Sequence, residues 1–153
     1  MAFDLFLKMG DVKGESRNRK HKDEIDVLSF SLGVTRANEG SQPRIKDFQI
    51  VKHIDAASPK LFDLACEGEV VRDATLVLSK PGARPAQDLE FYRIILENVV
   101  VTSIEPAGAA AGDTLPMEQV SLGFDSMRIE YKPQKADGSL DAAIVSTCSR
   151  TSR

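Results

Sequence analysis

Residues able to do acid–base or nucleophilic chemistry are few in this chain and widely separated. His21 lies in a charged stretch and is expected to be exposed, and His53 ends a predicted strand two residues before Asp55. A histidine near an aspartate in sequence is more often a surface pair than a general base with its orienting carboxylate. The chain contains no G-x-S-x-G, no Gly-Lys-Ser/Thr phosphate loop and no H-E-x-x-H. The sequence therefore predicts no catalytic residues, and a protein that is not an enzyme.

The sequence does not indicate a metal or cofactor site either. Cys66 and Cys148 are far apart, and neither has a C-x-x-C neighbour, so both are predicted to be free thiols, with Cys66 buried in a helix. The carboxylates of Asp23, Glu24 and Asp26 straddle both faces of a strand start, which does not make a cation cage. The sequence predicts no metal and no cofactor.

Bulk properties exclude further classes of protein. The formal net charge of −3 leaves no excess of Lys or Arg to neutralise phosphates, which argues against nucleic acid as the main partner. The most apolar stretch, Ile94–Ile104, is interrupted by Glu97 and Asn98 and is far too short to span a bilayer. The N-terminal apolar stretch contains Asp4 and lacks the features of a Sec signal. A length of 153 residues predicts a single domain over 1–153.

Most of the chain has the alternating pattern of β-strands, so strands must position any functional site. Residues 3–9 alternate with period two, and so do residues 24–34, where Leu28, Phe30 and Leu32 share one face and are predicted to fill the interior. Further strands are predicted over 45–53, 74–79 and 89–104. Within 117–131 the apolar face slips by one residue, which predicts either a β-bulge or a break into two strands.

A single short helix interrupts the strands. Ser58 is the predicted N-cap, Leu61 and Leu64 begin an apolar stripe, and Gly68 is the predicted left-handed C-terminal residue. The sequence thus predicts a mainly β (α+β) fold, an antiparallel β-barrel with one helix over about 59–67 covering an open end.

Four stretches resemble the Hcp (haemolysin-coregulated protein) family, the tube subunits of bacterial type VI secretion. They are FLKMGDVKGES with the following His and EIDVLSFSLGV, then FQIVKHIDAASPKLFDLACEG, then the long strand from Tyr92 to Ile104, and finally IEYKPQKADG. They fall in order and cover roughly residues 1–140. The tail from Ser139 has no aromatic residue and departs from the family pattern, so disorder is expected from about residue 146.

The resemblance implies a homohexameric ring of such barrels. Rings stack into a hollow tube inside a contractile sheath, a spike protein caps the tube, and small effectors ride in the lumen. The chain would then be cytoplasmic before firing and afterwards secreted or delivered into a target cell, with no Sec signal, no membrane insertion and no nucleic-acid partner.

The face opposite the predicted interior residues carries two serines, Ser29 and Ser31. The residues alone leave two equal interpretations, plain solvent exposure on a monomer or the wall of a shared channel. The resemblance favours the channel, and Ser29 and Ser31 are our candidates for effector contact.

A mixed-sign stretch between the first two strands is the candidate for contact between stacked rings. Its charged residues are Asp11, Lys13, Glu15, Arg17 and Arg19. Exposed ion pairs contribute only about 0–1 kcal/mol each, which suits contacts that must form and then separate. A plain solubilising loop is the equal alternative.

Two other functions remain open at this stage. One is a monomeric β-barrel that binds a small molecule in its interior, and the other is a tube paralogue specialised for one cargo. The sequence does not distinguish the paralogue from the general tube subunit, whereas the mass of the particle in solution separates the monomeric barrel from the ring.

Overall fold

Long antiparallel strands organise the chain, as the alternating sequence predicts. The computed structural model describes residues 2–84, 87–112 and 115–150. Their elements are β1 (Asp4–Met9), β2 (Ile25–Val27), β3 (Ser29–Ser31), β4 (Val34–Thr35), β5 (Arg44–Ile45), β6 (Phe48–His53), α1 (Ser58–Glu67), β7 (Val71–Pro81), β8 (Asp88–Ala107), β9 (Met117–Gly123), β10 (Ser126–Tyr131) and β11 (Ile144–Ser149).

The strands form a closed path. Its order is β2-β1-β7-β8-β9-β6-β3, with every pair antiparallel, while β10 joins β8 and β11 joins β10. β3 follows β2 directly in the chain, and the Leu28 amide between them donates to the Val51 carbonyl of β6. One continuous segment therefore pairs with β1 and then with β6, which closes the predicted barrel and leaves few free edges.

The change of partner at Leu28 corrects one sequence prediction. Leu28 was expected inside the barrel but is 48% exposed, whereas Val27, assigned to the opposite face, is buried. Phe30 and Leu32 are half-buried and pack against the core. A single strand with strict period two cannot describe a segment that passes from one sheet edge to another, because the turn between the two pairings shifts the inward face by one residue.

The slip predicted within 117–131 is a break into two strands. β9 and β10 both pair with β8 and are separated by Phe124 and Asp125. Opposite this break, Asn98 has a positive φ of 53°, and its side-chain amide donates to the Asp125 carboxylate at 3.0 Å. The 20-residue strand β8 thus bends where its partners change.

The barrel interior is filled with apolar side chains. Phe48 and Ile50 of β6 are 0% and 1% exposed, and Leu76 of β7 is 1% exposed. Other large and fully buried residues of the core are Leu7, Met9, Ile25, Leu61, Leu64, Ile94, Leu96 and Phe124.

The helix begins differently from the prediction and ends as predicted. Ala57 is the N-cap and makes no side-chain hydrogen bond. Ser58, the predicted N-cap, is instead the first residue of the helix, and its hydroxyl accepts from the Asp55 amide at 2.9 Å. Gly68 ends the helix with a φ of 67°, and its amide donates to the Leu64 carbonyl. At ten residues, α1 has half the length that a bilayer crossing needs, and none of the described residues belongs to a helix that could make one.

Cysteine burial is a second correction on this helix. Leu61 and Leu64 face the core as predicted. Cys66 is exposed rather than buried, and Cys148 is half-buried; both are free thiols. A small apolar residue next to a buried stripe can lie on either side of it, so burial could not be assigned from the spacing of one turn.

The C-terminal segment is a strand where disorder was expected. Ile144–Ser149 pairs with β10 over six residues, and the Arg150 guanidinium lies 4.4 Å from the Phe124 ring centroid. Main-chain pairing and the contacts of Arg150 hold the segment without any aromatic residue of its own. Residues 151–153 lie outside the described residues.

Candidate interaction surfaces

Ser29 and Ser31 lie together on the outer face of the barrel. Both are exposed, and they flank the half-buried Phe30 on β3. Across the ladder, Ser29 is opposite Val51 and Ser31 is opposite Gln49. Residues directly opposite each other in an antiparallel pair project to the same face, so the two serines belong to a surface that continues onto β6.

The same surface extends over four strands. Gln49 is opposite Ser121 on β9, which is opposite Ser103 on β8. In the neighbouring row Val51 is opposite Gln119, whose side-chain amide donates to the side-chain oxygen Oε1 of Gln49 at 3.3 Å. We call this surface the hydroxyl–amide face; its six neutral polar residues are Ser29, Ser31, Gln49, Ser103, Gln119 and Ser121, of which Ser121 is only 7% exposed, and Glu105 of β8, opposite Gln119, adds a carboxylate to it.

Sequence reasoning found two of these six residues. The other four lie 18 to 90 residues beyond Ser31 in the chain, and only the cross-strand register brings them onto the same face. The available signal was the alternation of polar and apolar residues within β9, where Gln119 and Ser121 flank Val120, although Ser121 is itself buried. It could not show which strand neighbours which.

The predicted stacking residues lie on one exposed face of an ordered segment. Exposure alternates strictly from residue 11 to residue 17, with Val12, Gly14 and Ser16 buried between exposed neighbours. Main-chain hydrogen bonds fold the segment back on itself, from the Gly14 amide to the Asp23 carbonyl at 2.8 Å and from the Asp23 amide to the Ser16 carbonyl at 2.9 Å. The exposed residues of this charged segment are Asp11, Lys13, Glu15, Arg17 and Arg19.

Histidine 21 anchors the end of this segment. It was expected to be exposed but is only 7% exposed, since its ring stacks on Phe6 with centroids 4.5 Å apart. Its Nδ1 lies 2.9 Å from a Glu24 carboxylate oxygen, and its Nε2 lies 3.5 Å from a carboxylate oxygen of Glu90 on β8. The imidazole therefore fixes the segment against the barrel.

Glu15 of the charged segment also contacts the main chain just before the helix. A Glu15 carboxylate oxygen accepts from the Ala56 amide at 2.7 Å, just before α1. Glu15 is consequently less available for contact with another molecule than Lys13, Arg17 or Arg19.

A group of like charges surrounds Asp26 beside this segment. Partial burial and the neighbouring carboxylates of Asp55, Asp4 and Glu15 raise the pKa of Asp26, and a hydrogen bond from Ser16 opposes them. When the pKa of a carboxyl group is higher in the folded than in the unfolded chain, the free energy of unfolding falls as pH rises through the range between the two pKa values. The ionised form of Asp26 is therefore mildly destabilising at neutral pH.

Replacing Asp26 with Asn should raise Tm at pH 7 by about 1–2 °C, because the neutral amide removes the repulsion. The gain should shrink as the pH is lowered and the wild-type carboxyl takes up a proton, which its raised pKa brings on earlier than in an ordinary aspartate. Thermal unfolding of both proteins at pH 7 and pH 4 measures this. A gain of equal size at both pH values would contradict the electrostatic explanation.

Within residues 2–84, 87–112 and 115–150, no three His, Cys, Asp or Glu side chains are arranged to hold a metal ion. The surface does contain a pocket of about 550 Å³ at one end of the hydroxyl–amide face. Its lining residues are Ser31, Leu32, Gly33, Lys46, Asp47 and Gln49.

Similarity to known proteins covers most of the chain. The family described as "Type VI secretion system effector, Hcp" matches residues 6–131. Protein hcp1 of Pseudomonas aeruginosa is 35% identical over 153 aligned residues, 95% of this chain and 93% of that protein. The crystal structure of Hcp1 from Salmonella typhimurium superposes with a TM-score of 0.80 at 29% identity, covering 97% of this chain and 95% of that one. That of a type VI secretion system effector from Yersinia pestis gives 0.80 at 28% identity, covering 96% and 100%.

Proposed function

This chain belongs to the Hcp family and is a tube subunit of a bacterial type VI secretion system, and from that premise we propose that its hydroxyl–amide face lines the channel of a ring of six subunits. The observation that carries this proposal is the breadth of the face. Four adjacent strands present mainly neutral hydroxyl and amide groups on one side, together with the carboxylate of Glu105, and the buried core lies on the other.

A wall of this chemistry suits temporary cargo. Hydroxyl and amide groups both donate and accept hydrogen bonds and carry no charge, so different surfaces can bind them weakly. Six copies around one channel would present the same groups to one effector and add avidity without any strong single contact. Weak individual contacts also allow the cargo to leave after delivery.

Ring assembly requires two different patches that meet on neighbouring subunits and close by rotation. Stacking of rings requires a further contact along the channel axis, and the charged segment is our candidate for it. Main-chain hydrogen bonds already order its backbone, so ion pairs between rings need not first order a flexible loop.

The remaining partners follow from the same proposal. They are a spike protein at the tube end, a contractile sheath around it and small effectors within it. The protein would be assembled in the cytoplasm and then leave the cell when the sheath contracts, as a structural component and not as an enzyme. The small-molecule carrier, the alternative from sequence, is disfavoured by an interior filled with buried side chains such as Phe48, Phe124 and Ile94.

Replacing Ser31 with Gln should lower effector retention by at least tenfold, equivalent to about 1.4 kcal/mol, because the longer side chain projects from six subunits into one channel. The measurement is the amount of a co-expressed effector that purifies with the ring. Ser31→Ala, which removes the hydroxyl without adding bulk, should have a smaller effect. Light scattering should give the wild-type mass for both variants, and undiminished effector on Ser31→Gln rings would exclude Ser31 from the channel wall.

A further inference from the structure

The pocket at the end of the hydroxyl–amide face combines neutral and charged groups. Ser31 and Gln49 contribute from that face, and Lys46 and Asp47 contribute from the turn before β6. The Lys46 amide donates to the Gly33 carbonyl at 2.9 Å, which joins the two sides of the pocket through the main chain. The position of Lys46 beside Ser31 is therefore set by the fold.

The carboxylate of Asp47 is already engaged by two donors. Its Oδ1 accepts from the Arg150 guanidinium at 2.8 Å, and its Oδ2 accepts from the Thr102 hydroxyl at 2.7 Å. Arg150 in turn donates to the Ile45 carbonyl at 3.1 Å and stacks on Phe124. The C-terminal residue of the described chain thus neutralises the one acidic group of the pocket.

Lys46 is left as the available charge. Its side chain is exposed, and among the described residues no carboxylate forms a salt bridge with its ammonium group. Lys46 and Arg150 together outweigh Asp47, so the pocket carries one excess positive charge in a chain whose formal net charge is −3.

The groups that remain free in the pocket can all donate hydrogen bonds. They are the ammonium of Lys46, the hydroxyl of Ser31 and the side-chain amide of Gln49. An anionic oxygen pair accepts from such donors more strongly than a neutral acceptor does. We infer that this pocket is a subsite for carboxylates of the cargo, namely aspartate and glutamate side chains on the effector surface.

This inference rests on the proposed channel and adds the cargo's chemistry to it. Six pockets per ring would each supply one weak ionic contact, and their effect would multiply through avidity. The contacts would be sensitive to salt, because exposed charges are screened within about 8–10 Å at physiological ionic strength. Effectors with acidic patches would be retained in preference to basic ones.

The test uses purified rings and two ten-residue peptides, one of alternating Glu and Ser and one of alternating Lys and Ser, each carrying an uncharged fluorophore. Fluorescence anisotropy at low salt should show at least tenfold tighter binding of the acidic peptide, and the preference should fall as salt is raised. Lys46→Glu should abolish or reverse the preference, and Lys46→Arg should keep it. Lys60→Glu, on an exposed helix position, makes the same change in net charge outside the pocket and should have little effect.

Two results would overturn the inference in distinguishable ways. If Lys46→Glu and Lys60→Glu reduce acidic-peptide binding equally while Ser31→Gln still weakens binding of both peptides, the subsite is wrong and the channel wall stands. If binding to intact rings is unchanged by both Ser31→Gln and Lys46→Glu, the channel assignment fails together with the subsite.

Discussion

Replacing Glu118 with Ala should lower the free energy of unfolding by about 3 kcal/mol. Glu118 of β9 is 2% exposed and pairs with the ammonium of Lys52, which is 0% exposed on β6. The Ser58 hydroxyl at the start of α1 donates to the same carboxylate at 2.6 Å. Loss of the carboxylate leaves a buried ammonium without its best partner and detaches the helix start from the barrel.

The expected loss lies at the lower end of the 3–5 kcal/mol that broken buried pairs cost, because part of the network survives. Asp55 still pairs with Lys52 at 2.8 Å, and the His53 carbonyl still accepts from it at 2.9 Å. Urea unfolding monitored by circular dichroism measures the difference.

The exposed Glu39 provides the matched control, since Glu39→Ala should change the unfolding free energy by less than about 0.5 kcal/mol. A double variant, Lys52→Met with Glu118→Leu, should recover most of the lost stability, as replacement of both partners by apolar groups is often neutral or stabilising. A Glu118→Ala protein as stable as the control would contradict the buried ion network.

Replacing Gly14 with Ala should disorder the charged segment and shorten tubes while leaving rings intact. A Cβ at Gly14 would lie 2.5 Å from the Glu24 carbonyl oxygen and 2.7 Å from the Ile25 Cα. Both are main-chain atoms held by the barrel, so the segment itself must move away. Overpacking of this kind typically costs about 1–3 kcal/mol.

Tube length by electron microscopy and urea unfolding together measure this effect. Gly40→Ala is the control, because its Cβ would meet only the Asn38 side chain, at 3.9 Å. If ion pairs of the segment join the rings, wild-type tubes should also shorten as ionic strength rises, and Lys13→Glu should have the same effect at low salt. Tubes of wild-type length from Gly14→Ala and Lys13→Glu proteins, indifferent to salt, would exclude the charged segment from stacking.

Local patterns predicted the architecture because they act over a few residues. Alternation located most of the strands, and Gly68 marked the helix end. The errors arose where tertiary pairing overrides local pattern. Leu28 faces outward because the strand changes partners there, and no composition rule shows such a change.

The site residues show the same division. Alternation placed Ser29 and Ser31 on the outer face, but the register with β6, β9 and β8 was needed to find the rest of the hydroxyl–amide face. His21 is buried in a hydrophilic stretch because Phe6 and two glutamates, one of them almost 70 residues away, receive its ring. Long-range partners of this kind leave no trace in the local sequence.

Multi-angle light scattering of the purified protein, with negative-stain images of the same sample, tests the central claim most directly. Six copies of the 16.7 kDa chain predict a particle of about 100 kDa, seen in projection as an annulus with six-fold symmetry and an open centre. A particle of 16.7 kDa at high concentration, with no annular images, would contradict the assignment of the hydroxyl–amide face to a shared channel.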